Sequence, residues 1–292
     1  MSVKEQIGAG RRQLLQLCAK VKLVSFIWCV VTFCFFECSA QSSLPFKEGE
    51  QLNYDISYKY GIVMIKAGNA AFSLRNATYN SQPTIKSVLN FKTNSFFDKI
   101  YKVRDTLISH VNDNLQPMYH ERSVNEGNTK FFEQLFFIKQ SDTYTEARVR
   151  REVKEKVKID TVMQVDGAGY DMLNIFLFAR TLDYQSLQID QTFPLTVFLG
   201  KQKTKAKMRY KGQSIIEKSE RLKYKSFRFE VDIMDEAFAE EKTAMEIWIS
   251  DDMNHVPLKL KAKLKIGAAE ATLSSYENLK HPLSSEVRLN PK

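Results

Sequence analysis

Side chains that do catalysis or bind metals are few in this chain and poorly arranged for either task. Its four histidines, His110, His120, His255 and His281, include no two spaced as ligands on one turn or hairpin. The H-E-x-x-H pattern is absent, and all four cysteines (Cys18, Cys29, Cys34, Cys38) precede residue 40. The remainder therefore has no sequence support for a zinc site, a disulfide framework or a thiolate nucleophile. No G-x-S-x-G elbow, P-loop or G-x-G-x-x-G fingerprint occurs, and Gly167-Ala168-Gly169 is too short to stand for one. Acidic pairs such as Asp235-Glu236, Glu240-Glu241 and Asp251-Asp252 fall in turn contexts, where adjacent acids solvate a loop. No catalytic residue, metal or cofactor is assigned. An enzyme with a dispersed carboxylate site, His255 among its members, stays open as the alternative, because spacing alone cannot show convergence.

Two other patterns carry more information. In 201–211 every odd position is basic: Lys201, Lys203, Lys205, Lys207, Arg209 and Lys211. In 258–266, Lys259, Lys261, Lys263 and Lys265 alternate with Leu258, Leu260, Ala262, Leu264 and Ile266. Successive strand side chains point to opposite faces, so each run gathers its charge on one side. Such a face keeps a sheet soluble, with Glu230, Asp232 and Glu246 on other strands as cross-strand partners. The functional alternative is contact with anionic envelope material or an anionic membrane surface. Nucleic acid is not an expected partner, since no recognised module is present. An outer-membrane barrel would show the same alternation, although Gln202, Thr204 and Ala206 fit a lipid-facing row badly. The second pattern is aromatic. Phe132, Phe136, Phe176, Phe178 and Trp248 are candidates for an apolar groove able to hold a lipid or other amphipathic ligand; the plainer reading is core packing.

Period-two alternation runs through most of the chain and supplies the elements that must position these residues. Strands are expected over 52–58, 62–74, 84–93, 102–111, 116–123, 129–139, 143–151 and 153–165. Others are expected over 192–199, 202–211, 213–219, 222–234, 243–250, 256–266 and 269–278. Turn signals such as Asn112-Asp113-Asn114 and Gly267 separate them, and the lack of helical crossovers implies antiparallel pairing. One segment differs. Residues 171–182 read as a helix with Asp171 as N-cap and Arg180 in its last turn, apolar on nearly every face and so enclosed. A central strand through Ile175–Phe178 is the alternative for that segment. The fold expected is mainly β: a curved antiparallel sheet or partly open barrel of two β lobes with one central buried helix.

Residues 1–40 read as a secretory signal peptide. Lys4, Arg11, Arg12, Lys20 and Lys22 precede an uncharged run from Leu23 to Phe36, and Cys38-Ser39-Ala40 puts small side chains at both positions a signal peptidase reads before Gln41. Cleavage is expected between Ala40 and Gln41, leaving 41–292 as a single β-rich domain; the rivals are an uncleaved anchor and a lipoprotein, for which the residues before Cys34 and Cys38 are poor matches. The full chain carries a formal charge of +9. Export to the periplasm, the outer-membrane periphery or the cell surface follows from this reading.

Four stretches together resemble a bacterial domain-of-unknown-function family, number 3108, found in exported Gram-negative proteins. The first is 46–74, through Gly49-Glu50, Leu52, Tyr54, Gly61, Ala67-Gly68 and Ala70. The second is 102–117, through Arg104-Asp105 and Leu115 to Pro117; the third is 170–181, through Tyr170-Asp171 and Arg180. The last is 247–267, through Trp248, Asp251 or Asp252, Pro257 and Gly267. The resemblance implies an export signal and a β-rich domain, and it supplies no activity or ligand. The residues favour a non-enzymatic envelope protein that binds an apolar or amphipathic ligand or an envelope protein partner. A structural subunit, marked by a large exposed apolar patch, is a further alternative.

Overall fold

The computed structural model describes residues 44–200, 202–219, 222–233, 244–264 and 266–288. The expected cleavage point at Ala40 and Gln41 lies outside these residues, as do Lys201 and Lys265. The first run of alternating segments forms β1 (Gln51–Tyr60), β2 (Val63–Tyr79), β3 (Gln82–Thr93) and β4 (Arg104–Val111). It continues through β5 (Pro117–Glu126), β6 (Thr129–Gln140), β7 (Tyr144–Val153) and β8 (Lys156–Asp166). A two-residue strand, β9 (Gly169–Tyr170), leads into the helix α1 (Asn174–Arg180). The second run comprises β10 (Thr192–Leu199), β11 (Gln202–Ser219), β12 (Leu222–Ile233) and β13 (Met245–Ser250). It ends with β14 (Pro257–Lys263), β15 (Ala268–Glu277) and β16 (Glu286–Arg288).

The strands form one sheet in the order β8-β7-β6-β5-β4-β3-β2-β1-β15-β14-β13-β12-β11-β10-β9, with β16 paired to β12. The two runs are thus the two halves of a single sheet, joined where β1 pairs antiparallel with β15. Among the described residues, only β9 and β10 pair in parallel. Two expected strands, 202–211 and 213–219, are one strand, β11, whose ladder slips between Tyr210 and Gln213 around Gly212, at φ 90°. A bulge of that kind bends a long strand without ending it.

The sheet curls until its edges approach, and side chains rather than a ladder complete the closure. Gln140 Nε2 donates to the Gly169 carbonyl at 3.0 Å, and the Gly169 N–H donates to Thr145 Oγ1 at 2.8 Å. Phe198 of β10 packs among Leu135, Ala147, Val149 and Met163 from β6, β7 and β8. Gly169 permits this approach, since a Cβ there would lie 2.4 Å from the Phe198 ring. The result is a barrel with two rims. The upper rim holds the connections after β2, β4, β6 and β8; the lower rim holds those after β1, β3, β5 and β7.

Two apolar clusters fill most of the concave side. Leu52, Tyr54, Phe72, Leu74, Leu258 and Leu273 form one cluster with Leu177 of α1. Met208, Tyr210, Phe227, Phe229 and Ile249 form a second around Ala179 and Tyr184. The charges of β11 to β14 face outward, the reverse of a barrel that faces lipid with apolar side chains. No helix among the described residues is long and apolar enough to cross a membrane.

The helix is shorter than the expected 171–182. Asp171 Oδ1 accepts the N–H groups of Leu173 and Asn174, each at 2.8 Å, so the cap is made in the preceding turn. At the other end Tyr184 Oη donates to the Ala179 carbonyl at 2.6 Å, and His255 Nδ1 lies 2.9 Å from the Arg180 carbonyl. Those outside partners take the terminal carbonyls and end the helix at Arg180.

Candidate functional site

The lysine faces sit on the outer surface, and much of their charge is met by acids beside them. Arg209 reaches Asp232 at 3.0 Å and Glu230 at 3.6 Å. Lys259 meets Glu270 at 2.7 Å and lies over the Trp248 ring, 5.8 Å from its centroid. Lys261 lies 3.9 Å from Glu246. These contacts follow from register: Arg209, Glu230, Glu246, Lys261 and Glu270 are successive cross-strand partners from β11 to β15. The row is a mixed-charge ladder. Lys263 is half-buried on β14, whereas Lys203, Lys205 and Lys207 face solvent on β11.

The five aromatic residues considered for one groove are not brought together. Phe176 packs tilted against Phe72, with ring centroids 4.6 Å apart, within the core. Trp248 lies on the outer face beneath Lys259. Phe132 is half-buried on the outer face of β6, opposite Ser123 and Glu152. Phe136 and Phe178 each line a cavity, and both cavities open at the upper rim.

The larger cavity has a volume of about 420 Å³ and lies between residues 114–116, Gln140–Asp142, Ala168, Tyr170, Phe178 and Thr181. The smaller, about 310 Å³, is walled by Tyr79, Asn80, Asn112, Pro117, Met118 and the 136–138 stretch of β6. Gln116 and Gln140 line both, so the two adjoin. Each falls in the range of small-molecule sites, roughly 300–1,000 Å³. Hairpin geometry builds the walls. Asn112 Oδ1 accepts the N–H groups of Asn114 and Gln116, each at 3.0 Å, which folds the β4–β5 turn over the opening.

The lining is aromatic and amide-rich. Tyr170 and Phe178 lie 5.4 Å apart on the floor of the larger cavity, and Tyr119 stacks between Tyr79 and Phe136 beside the smaller one. Asp142 is the sole carboxylate among the lining residues, and no lysine, arginine or histidine joins them. Burial, with the Asp142 charge adding to it, raises the Tyr170 hydroxyl above the ordinary phenol range, so Tyr170 stays a neutral donor. Gln140 Oε1 is buried with no hydrogen-bond partner, while its Nε2 is held by Gly169. A buried acceptor left open beside a cavity invites a donor from a bound molecule. Sequence reasoning missed these amides because Asn and Gln near turns read as ordinary turn formers.

Titratable groups do converge elsewhere, in the packed interior beside α1. Ser109 Oγ donates to Asp171 Oδ2 at 2.7 Å, and His120 Nδ1 lies 3.6 Å from Asp171 Oδ1. All three residues are buried, and the hydroxyl is bonded to the carboxylate rather than to the imidazole. A nucleophile–base pair needs the hydroxyl on the imidazole, so the geometry is that of a capped helix start. Burial lowers the His120 pKa against the opposing pull of Asp171, which keeps the ring neutral. At the other end of α1, Arg180 and Glu50 form a fully buried ion pair. Arg180 Nε and one terminal nitrogen also donate to the Asn254 carbonyl, at 3.1 and 2.9 Å. His255, whose ring lies tilted against Tyr184 with centroids 4.1 Å apart, is likewise lowered in pKa by burial.

A nearly closed, outward-polar β barrel with an internal helix is the class these features define. A crystal structure of a beta-barrel-like protein of a domain of unknown function, DUF1849, from Brucella abortus is similar in fold. That likeness has a TM-score of 0.54 at 6% identity, covering 80% of this chain and 99% of that one. A Parabacteroides distasonis structure covers 80% of this chain and 97% of its own, at 7% identity and a TM-score of 0.29. No curated protein matches the chain in sequence. The chain belongs to the family of unknown function DUF3108, whose model matches residues 53–274.

The residues that carry the family resemblance hold the frame together. Glu50 and Arg180 form the central pair, and Asp171 caps the helix. Tyr54 Oη donates to the Pro257 carbonyl at 2.9 Å, tying β1 to β14. Asp252 accepts the Ser285 N–H at 3.1 Å and anchors the segment before β16. Among them, Tyr170 and the Leu115–Gln116 stretch also face the upper-rim cavities.

Proposed function

We propose that this is a non-enzymatic exported binding protein of the bacterial envelope. Its two upper-rim cavities would hold one amphipathic ligand with an uncharged, hydroxyl-bearing head. The carrying observation is Gln140, whose Oε1 is buried without a partner on the wall the cavities share. Amide donors and acceptors from Asn80, Asn112, Asn114 and Gln116 suit hydroxyl groups, and the absence of lysine or arginine disfavours an anionic head. Tyr170, Phe178 and Phe136 offer ring faces to the apolar part. Export is supported by the basic, apolar and small-residue succession of residues 1–40.

Native mass spectrometry of the chain, expressed in a Gram-negative host and purified without detergent, tests this reading. The expected result is a stoichiometric adduct that leaves on denaturation and appears in the solvent extract. Ala168→Trp, which fills the larger cavity, should abolish it while leaving the circular dichroism spectrum unchanged. A clean apo mass with an empty extract would overturn the proposal.

A further inference from the structure

The lower rim concentrates exposed apolar side chains that the packing of the barrel does not use. Every residue from Tyr60 to Lys66, the tip of the β1–β2 hairpin, is exposed. Ile62 is 100% exposed at a turn position where hairpins usually place Gly, Asn or Asp, and Tyr60, which closes the turn opposite Val63, is 64% exposed. The tip overhangs its neighbour, because the β2–β3 ladder begins only at Gly68 opposite Thr93. The β3–β4 connection adds Ile100 at 67%, and the β14–β15 turn adds Ile266 at 66%. These tips are tied to one another rather than free. Tyr58 Oη donates to the Ile266 carbonyl at 2.8 Å, and Asn94 Nδ2 donates to the Lys66 carbonyl at 2.5 Å.

Basic residues stand just behind the tips. Lys59, Lys99, Lys102 and Lys130 lie on the same rim, and no ion pair among the described residues involves them. The nearest acid of the β3–β4 connection, Asp98, is held by Arg104 at 2.6 Å. Apolar tips ahead of uncompensated lysines complement a surface with an apolar interior and an anionic skin. Separate tips rising from several loops suit a deformable lipid surface better than the packed contact a protein partner requires.

We propose that the lower rim docks on an anionic lipid bilayer, with Tyr60 to Ile65 entering the boundary between headgroups and acyl chains. Ile100 and Ile266 enter beside that tip, and the lysines meet the headgroup phosphates. This surface is independent of the upper-rim cavities and stands whether or not they bind a ligand.

The test places a tryptophan at each end of the barrel in otherwise identical full chains. Ile62→Trp should shift its emission to the blue on vesicles of equal phosphatidylethanolamine and phosphatidylglycerol, and not on phosphatidylcholine alone. Met253→Trp, exposed in the β13–β14 turn at the opposite end of the barrel and outside both cavities, should show no shift with either vesicle. Ile62→Asp should lower binding to the anionic vesicles roughly tenfold with the thermal midpoint unchanged. Both reporters share residues 1–40, so that segment cannot produce a difference between them. An unmoved Ile62→Trp spectrum, or an equal shift from Met253→Trp, would overturn the proposal. So would a shift that needs no vesicle and grows with protein concentration, which would mark an interface between copies.

Discussion

Replacing Arg180 by methionine is the most severe single change the interior predicts. Arg180 and Glu50 are both wholly shielded from solvent, and the guanidinium also serves the Asn254 carbonyl through two nitrogens. Its removal leaves a buried carboxylate without a cation, which costs about 3–5 kcal/mol. The Asn254 carbonyl loses its donors as well, for roughly 1–3 kcal/mol that overlaps the first figure in part. Arg180→Met should therefore destabilise by about 4–6 kcal/mol, a large share of the ~5–15 kcal/mol typical of a folded domain. The double variant Glu50→Met/Arg180→Met removes both charges together. It should recover most of that loss, because a buried pair is often close to neutral against apolar groups of similar volume. Urea unfolding of all four proteins at neutral pH gives the coupling energy, expected to be at least about 3 kcal/mol. If the single costs add to within about 0.5 kcal/mol, the pair is not the compensated unit described here.

Three further changes read other parts of the structure. Burial and the neighbouring Asp105 push the Glu126 carboxyl up to about 7, with Arg122 and Tyr101 opposing. Its stabilisation is complete below the ordinary value of 4.5 and is lost as pH rises through about 7. Glu126→Gln should then raise stability by about 1 kcal/mol at pH ~8, allowing for solvent screening, and by nothing near pH ~4. Equal urea midpoint shifts at the two pH values would contradict this. Gly169→Ala drives a Cβ to 2.4 Å from the Phe198 ring and should cost about 1–3 kcal/mol in thermal unfolding. Phe198→Leu in the same chain should restore part of it. Lys259→Glu faces the nearly buried Glu270 and should destabilise by about 1–2 kcal/mol, while Lys203→Glu, on an exposed site, should stay within about 0.5. Parallel urea titrations of the two variants decide the matter.

Alternation made the frame legible, since each long strand buries one face and charges the other. Lys259, Lys261 and Leu258 show why: two lysines reach acids outside, and the leucine packs inside. Elements too short for a period escaped notice. β9 is two residues long and β16 three, and both are held by tertiary contacts rather than by pattern. The helix ended early because Tyr184, just past it, and His255, far along the chain, take its last carbonyls. The cavities were illegible for a similar reason. Gln116 and Gln140 are 24 positions apart and meet only because two hairpins open on one rim. Family resemblance helped little, since most of its residues mark the fasteners of the barrel and only Tyr170 and the Leu115–Gln116 stretch also line a cavity.

The two rims set a constraint on each other. A strand of ten to twelve residues spans about 35 Å, and barrel tilt reduces the height to about 25–30 Å. If the lower rim rests on lipid, the cavities open well above the headgroups, facing away from that bilayer. An acyl chain could not pass from the bilayer to Phe178 without crossing the packed interior around Leu177. The ligand would then arrive from solution or from a partner above the membrane, and docking and occupancy should be independent. Ala168→Trp should bind vesicles as the unmodified chain does, and Ile62→Asp should keep its full adduct. Loss of the adduct in Ile62→Asp would mean that ligand enters through the lower rim, against the path the packing leaves open.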